Sequence, residues 1–311
     1  MTAINTIGIV GSGVIGASWS ALFLASGYDV INYDPDPDNA SKTKAYIDQA
    51  WGSLNDLGLI VDGASPSRIR YVDQVAAAVE GADFIQESVP ERIDIKHETY
   101  RLMEPALGQG AIVATSSSGL LIKDMHAALK DPSRFILGHP FNPPHLIPLV
   151  ELLGNEKTAP DVLDRAAAFY ENCGKETIRV MKEVPAHVAN RLQAALWREA
   201  ISLVAEGVAS VEDVDKAVTA GPGLRWSVMG PHMLFSLGSG GGGIGTFCER
   251  FGPSFKTWWQ TMGTPELTPD VIAMLEKGIA DEENGRDFKT LAEERDQKLI
   301  AAQRAMKGVK T

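Results

Sequence analysis

The sequence predicts an α/β fold: a doubly wound, mostly parallel sheet over residues 1–184, followed by an all-helical domain over residues 185–311. Three observations carry that reading. Short apolar runs alternate with helical patterns through the first half, the mark of parallel strands joined by crossover helices. The first run, Ile7-Gly8-Ile9-Val10, breaks into a glycine turn that opens a helix. Beyond Pro185 no convincing strand follows, and the apolar residues fall at helical spacing.

Taken in order, the opening strand and helix lead to a second strand, Tyr28-Asp29-Val30-Ile31-Asn32-Tyr33. A helix around 38–57 precedes the strand Ile69-Arg70-Tyr71-Val72, and helix 73–80 precedes Asp83-Phe84-Ile85-Gln86-Glu87. Helix 92–107, the strand Ala111-Ile112-Val113-Ala114, helix 121–129 and the strand Phe135-Ile136-Leu137-Gly138 continue the alternation. An extended run from Leu146 to Leu153, helix 160–173 and the strand Thr177-Ile178-Arg179-Val180 complete the domain. Ala186 to Val208 then reads as one long helix, because Val188, Leu192, Ala195, Leu196, Ile201 and Val204 form an apolar face. Helices are predicted at 211–219, 231–237, 244–262, 268–283 and 287–306, with the glycine run 238–243 as a loop.

Bulk properties narrow the function. The 311 residues suffice for two domains. Forty acidic against 29 basic side chains leave a net charge of −11, which argues against nucleic acid or an anionic membrane as a main partner. Cys173 and Cys248 have neither metal-ligand nor disulfide-framework spacing, fitting a reducing compartment. No targeting segment and no run of membrane-span length is visible, so a cytoplasmic protein is expected. The histidines show no HxxxH or HExxH spacing, and no metal site is expected.

The glycine turn is Gly11-Ser12-Gly13-Val14-Ile15-Gly16. The first glycine permits a tight turn, the second lets backbone N–H groups approach a pyrophosphate, and the third lets the helix pack close to the strand. Asp34, eighteen residues past Gly16, ends the second strand, where a carboxylate accepts the adenosine ribose hydroxyls and repels a 2′-phosphate. No Arg follows it directly. A Rossmann-type domain binding NAD rather than NADP is therefore expected.

Proton transfer needs a separate group. His139, in Gly138-His139-Pro140-Phe141-Asn142-Pro143-Pro144, lies just beyond a strand, on the side where doubly wound sheets hold ligands. Glu151, among Leu and Val, is costly to bury without a partner, and His139 is the natural one. Equally, His139 could end a strand without chemistry while Glu151 pairs with a surface Lys. Thr115-Ser116-Ser117-Ser118 places four hydroxyls at a strand end, to bind a substrate oxygen or to cap a helix. No GxSxG elbow is present, and neither cysteine has a base partner in sequence, which disfavours covalent hydrolysis.

Together, Gly11 to Gly16, Phe84 to Glu91, Thr115 to Gly119, His139 to Pro143, Pro148 to Glu151, and Lys182 to Pro185 leading to Asn190-Arg191-Leu192 resemble the 3-hydroxyacyl-CoA dehydrogenase superfamily. Within it they are most similar to the branch holding L-carnitine dehydrogenase and L-gulonate 3-dehydrogenase (lambda-crystallin). The resemblance implies a catalytic His139 held by Glu151, with Ser118 and Asn190 gripping the substrate oxygen. It also implies that Glu91 and Lys96 contact the nicotinamide ribose, that Asn142 lines the same side, and that the chain forms a homodimer through its helical domain.

One departure matters: residues 36–82 are shorter than in the acyl-CoA enzymes and hold only Lys42, Lys44, Arg68 and Arg70 as cations, favouring a small free acid. Gly223 to Gly230, and Leu196-Trp197-Arg198-Glu199-Ala200, look like the carnitine enzymes. Arg198 or Arg225 would then bind a substrate carboxylate and Trp226 a trimethylammonium, although aromatics at helical spacing also build cores and interfaces. The implied activity is NAD-dependent oxidation of the 3-hydroxyl of a small 3-hydroxy acid. L-Carnitine is the first candidate; L-gulonate and a short 3-hydroxyacyl group, with or without CoA, are the alternatives. The intact Ser118, His139, Glu151 and Asn190 set speaks against a catalytically silent relative.

Overall fold

In the computed structural model, which describes residues 4–308, the first half forms one eight-stranded sheet. Its strands are β1 (Thr6–Val10), β2 (Asp29–Tyr33), β3 (Ile69–Val72), β4 (Phe84–Glu87), β5 (Ile112–Thr115), β6 (Phe135–Pro140), β7 (Leu149–Gly154) and β8 (Glu176–Arg179). Their order is β3-β2-β1-β4-β5-β6-β7-β8, parallel throughout except for the antiparallel β6–β7 pair. The chain winds outward from β1 in one direction and from β4 in the other, so the strand order reverses between these neighbours and opens a crevice at their carboxyl ends.

Side-chain alternation explains the two layers. Ile7, Ile9, Phe84, Ile112, Ala114, Ile136, Val150 and Leu152 face one side, packed with α1 (Val14–Ala25), α2 (Asn39–Asp56) and α6 (Val162–Asn172). Val10, Ile85, Val113, Phe135, Leu137 and Leu153 face the other, packed with α3 (Val75–Val79), α4 (Ile93–Met103) and α5 (Ile122–His126). Successive residues of the central strands are thus all buried, alternately in one layer and the other, as a sheet covered by helices on each side requires.

The chain divides into two compact units. The first comprises Met1–Asn190 with Asp296–Arg304, the second Arg191–Arg295 with Ala305–Thr311. The second is built from α7 (Ala189–Ala205), α8 (Val211–Ala220), α9 (Pro222–Trp226), α10 (Pro231–Leu237), α11 (Gly243–Thr261), α12 (Pro269–Glu283) and α13 (Phe288–Gly308), of which α7 and α13 also extend into the first. Proline at the first turn of α9, α10 and α12 loses no helical hydrogen bond there. Ser210 caps α8 by accepting from the Asp213 N–H at 3.1 Å. Val204, Val211 and Val214 form its buried centre.

The structure corrects several boundaries. The long helix predicted from Ala186 begins at Ala189, because Ala186 and His187 take left-handed backbone conformations (φ 63° and 51°). The extended run predicted from Leu146 pairs only from Leu149, since the Leu146 and Ile147 N–H groups turn back onto the Pro143 carbonyl. Helix α9 was not anticipated; its five residues are too few for a periodic signal. On the C-terminal helix α13, Ile300 is buried against Leu57 and Leu146.

Candidate active site

The glycine turn leaves β1 and enters α1 as its spacing requires. Gly11 has φ 92°, and a Cβ there would lie 2.6 Å from the Val89 nitrogen. A Cβ on Gly16 would fall 1.9 Å from the Gly11 carbonyl oxygen, so only glycine lets α1 sit this close to its strand. A Cβ on Gly13 would meet nothing within 4 Å. Nothing in the protein demands glycine at that position, whereas a phosphate seated at the α1 N-terminus would. Val14 and Ile15 open the helix, with Val14 exposed. Asp34 Oδ2 accepts the Ser12 N–H at 2.7 Å and Oδ1 accepts the Asp36 N–H at 3.0 Å, which ties the end of β2 to the turn. An open cavity of ≈ 690 Å³ beside Asp34 is lined by Pro35, Asn39, Arg70 and Tyr71 among others. These features fit the pyrophosphate and adenosine of a dinucleotide.

His139 and Glu151 are directly opposed in the antiparallel β6–β7 register. The alternation puts both on the sheet face shared with Leu137 and Leu153. Their side chains meet at 2.7 Å, His139 Nδ1 to Glu151 Oε2. The other carboxylate oxygen, Oε1, accepts the Val188 and Ala189 N–H groups, each at 3.0 Å, at the α7 N-terminus. Burial pushes the Glu151 carboxyl up, but the hydrogen bonds from His139, Ala189 and Val188 outweigh it and hold the group below the usual carboxylate range. An ionised Glu151 can only accept. His139 Nδ1 therefore carries the proton, leaving Nε2 as the basic nitrogen.

The loop after β5 wraps a second carboxylate. Glu91 Oε1 accepts from Ser117 Oγ at 2.6 Å and from the N–H groups of Ser118, Gly119 and Leu120 at 3.0, 2.8 and 3.1 Å. Burial raises the Glu91 carboxyl, yet these donors and the Lys96 charge bring it below its ordinary value. Lys96 is 1 % exposed and donates to Glu87 Oε1 at 2.8 Å, with Glu91 Oε2 3.8 Å away. Tyr100 donates to the other Glu87 oxygen at 2.6 Å. Ser118 and Asn142 are exposed, and Asn190 is half-buried in the first turn of α7, next to the Ala189 N–H that Glu151 holds. Gly11, Glu91 and Ser118 follow the carboxyl ends of β1, β4 and β5, and His139, predicted just beyond its strand, is the penultimate residue of β6 because the strand extends to Pro140 to pair with β7, so one edge of the sheet carries them all.

Residues 6–184 match the profile of the 3-hydroxyacyl-CoA dehydrogenase NAD-binding domain, and residues 187–264 that of the 3-hydroxyacyl-CoA dehydrogenase C-terminal domain. The chain belongs to the 3-hydroxyacyl-CoA dehydrogenase family. An L-carnitine dehydrogenase of Streptomyces coelicolor is 43 % identical over 302 residues, spanning 97 % of this chain and 95 % of that protein. One from Burkholderia mallei is also 43 % identical, over 310 residues (99 % and 96 %). Among solved structures, an NAD-dependent 5-formyl-3-hydroxy-2-methylpyridine 4-carboxylic acid 5-dehydrogenase superposes with a TM-score of 0.84 at 30 % identity, over 99 % of this chain and 100 % of the other. A (S)-3-hydroxybutyryl-CoA dehydrogenase of Ralstonia eutropha does so with a TM-score of 0.64 at 26 % identity, over 76 % and 82 %. The chain is thus an NAD-dependent dehydrogenase acting on hydroxyl groups, as this family's members are.

The helical unit holds the remaining sequence candidates. Arg198 lies exposed on α7; Arg225 and Trp226 lie on α9, also exposed. The aromatic residues of α10 and α11 pack on one another, Phe235 on Phe247 at 4.9 Å and Phe255 on Trp258 at 4.9 Å between ring centres. Among the described residues no cluster of His, Cys, Asp or Glu is arranged to hold a metal, and no helix is long and apolar enough to cross a membrane. Sequence reasoning passed over His187, whose ring centre lies 5.3 Å from that of His139. The one signal was its place between the Pro185 break and Asn190.

Proposed function

We propose that this dehydrogenase oxidises the 3-hydroxyl of a small, free 3-hydroxy acid, L-carnitine to 3-dehydrocarnitine. The observation that carries the chemistry is the 2.7 Å His139–Glu151 pair at the cofactor edge of the sheet, with Glu151 anchored by two backbone N–H groups. Relatives that are L-carnitine dehydrogenases, matched along nearly their whole length, support the choice of acid.

Bound NAD supplies the hydride acceptor. Gly11, Gly13, Val14, Ile15 and Gly16 hold its pyrophosphate, Asp34 its adenosine ribose and Glu91 its nicotinamide ribose. Lys96, which the resemblance also puts on that ribose, is 1 % exposed and hydrogen-bonded to Glu87, 3.8 Å from Glu91 Oε2, so it acts on the ribose only through the charge it places behind Glu91, and Asn142 lines the same side. His139 Nε2 removes the hydroxyl proton while Glu151 keeps the ring in the reactive tautomer and offsets the charge it acquires. Ser118 and Asn190 hydrogen-bond the substrate oxygen. Arg198 or Arg225 binds the carboxylate and Trp226 the trimethylammonium. The functional boundary lies near residue 184, with residues 185–311 binding substrate and pairing two copies. Exposed Trp197, Leu224 and Trp259 in the helical unit support the homodimer, and the acidic balance supports a cytoplasmic enzyme with no nucleic-acid or membrane partner.

The test is NAD reduction with L-carnitine, L-gulonate, 3-hydroxybutyrate and 3-hydroxybutyryl-CoA side by side. L-Carnitine should give the highest kcat/KM. A higher value for L-gulonate or for the CoA thioester would replace the proposed substrate, and inactivity on all four would remove the reaction class.

A further inference from the structure

His187 is only 1 % exposed and sits two residues beyond Pro185. Its backbone and that of Ala186 are both left-handed, a costly arrangement for two successive residues other than glycine. Such strain persists only where the surroundings fix it, and here the contacts are specific. The His187 ring packs 5.3 Å from the His139 ring at a 52° tilt, while Phe141 flanks His139 at 5.8 Å. Nε2 lies 3.3 Å from the Ser117 carbonyl, in the loop that continues into Ser118. A carbonyl can only accept, so Nε2 bears the hydrogen. Nδ1 is then an unprotonated nitrogen, buried and without a hydrogen-bond partner. The next two residues, Val188 and Ala189, donate their N–H groups to Glu151.

We propose that His187 is a positioning residue: its Nε2–H braces the Ser117–Ser118 loop while its ring backs His139, so the proton acceptor and the loop bearing Ser118 are held against each other. This rests on the proposed reaction. The ring itself stays neutral. Burial, and next the neighbouring His139, hold its pKa below the ordinary histidine value, against the opposing effects of the Ser117 carbonyl and the Glu151 and Glu91 carboxylates. A proton delivered to His139 therefore is not shared with His187.

Two substitutions separate the brace from the packing. Gln carries an N–H donor where His carries Nε2–H, so His187→Gln should retain kcat within about threefold, whereas His187→Phe keeps a ring but no donor and should lose about tenfold to a hundredfold. NADH affinity should stay within twofold in both. Wild-type kcat with Phe, or Gln as slow as Phe, would overturn the proposal. Nitrogen-15 histidine NMR of the wild-type protein is independent of turnover: it should show one neutral tautomer for His187, protonated at Nε2, from pH 6.5 to 8. A proton on Nδ1, or a mixture of tautomers, would refute the brace even if the substrate assignment stands. An inactive wild type would overturn the reaction instead, leaving the NMR result to decide for His187.

Discussion

At the scale of residues, Glu151 and Asp34 each do one thing that a close relative of the side chain could not. Glu151 fixes the His139 tautomer by offering only acceptors. Gln at 151 can present N–H to Nδ1, which moves the ring proton to Nε2 and removes the base. Glu151→Gln should therefore cut kcat by about 10²–10⁴-fold with NADH binding unchanged; a loss below tenfold in steady-state assays would show that the carboxylate does not set the tautomer. Asp34 faces the cavity that Arg70 also lines. No Arg follows Asp34 in sequence, but the β2–β3 pairing supplies one from across the sheet. Asp34→Ala should lower the preference for NAD over NADP by roughly tenfold or more, because the repulsion goes while Arg70 remains. Adding Arg70→Ala should take the gain in NADP use away again; an unaltered preference in Asp34→Ala would displace Asp34 from the ribose.

At the scale of elements, the turn between β1 and α1 separates two reasons for being glycine. A methyl on Gly16 collides with backbone, so Gly16→Ala should lower stability by about 1–3 kcal/mol and weaken NADH binding together. A methyl on Gly13 meets only the space a phosphate would fill, so Gly13→Ala should keep its melting temperature and still weaken NADH binding at least about tenfold. Calorimetry and NADH fluorescence titration read both effects; equal stability losses would show that Gly13 serves the fold instead. Element identity was largely legible, because central strands buried on both faces write themselves as short continuous apolar runs between helical patterns. Pair partners were less so. The register that sets Glu151 opposite His139 depends on β7 running antiparallel, which twelve residues of separation suggest but do not fix. Lys96 was expected from the resemblance to contact the nicotinamide ribose, but its burial against Glu87, which Tyr100 also holds, is tertiary and not written in local sequence. The late start of α7 and the role of His187 were hidden for the same reason: left-handed backbone at Ala186 and His187 is imposed by neighbours, not by local preference.

At the scale of the whole molecule, the loop between β6 and β7 is held by a buried ammonium. Lys175 Nζ donates to the carbonyls of Pro144 and Ile147 and stands 4.9 Å from the Trp19 ring centre. Burial, only partly opposed by Cys173, drives its pKa from 10.5 down to about 7. Above pH 7 the folded protein has thus released a proton that the unfolded chain still holds, so stability should rise with pH until the unfolded lysine titrates. Denaturant unfolding at pH 7 and 8.5 should show a gain on the order of 1 kcal/mol per pH unit, which Lys175→Met flattens; a wild type with no gain would mean the ammonium is well accommodated. Glu151 acts oppositely at the acid end. Its lowered pKa contributes stability above the unfolded value near 4.5, lost as pH falls through the folded value. Glu151 thus stays ionised as the reaction needs, but the claim that matters most is chemical. Single-turnover oxidation of L-carnitine by the NAD-saturated wild type and by His139→Gln tests it directly. The account predicts that the variant forms NADH about 10²–10⁴-fold more slowly while binding NADH normally; NADH formation at the wild-type rate would contradict it.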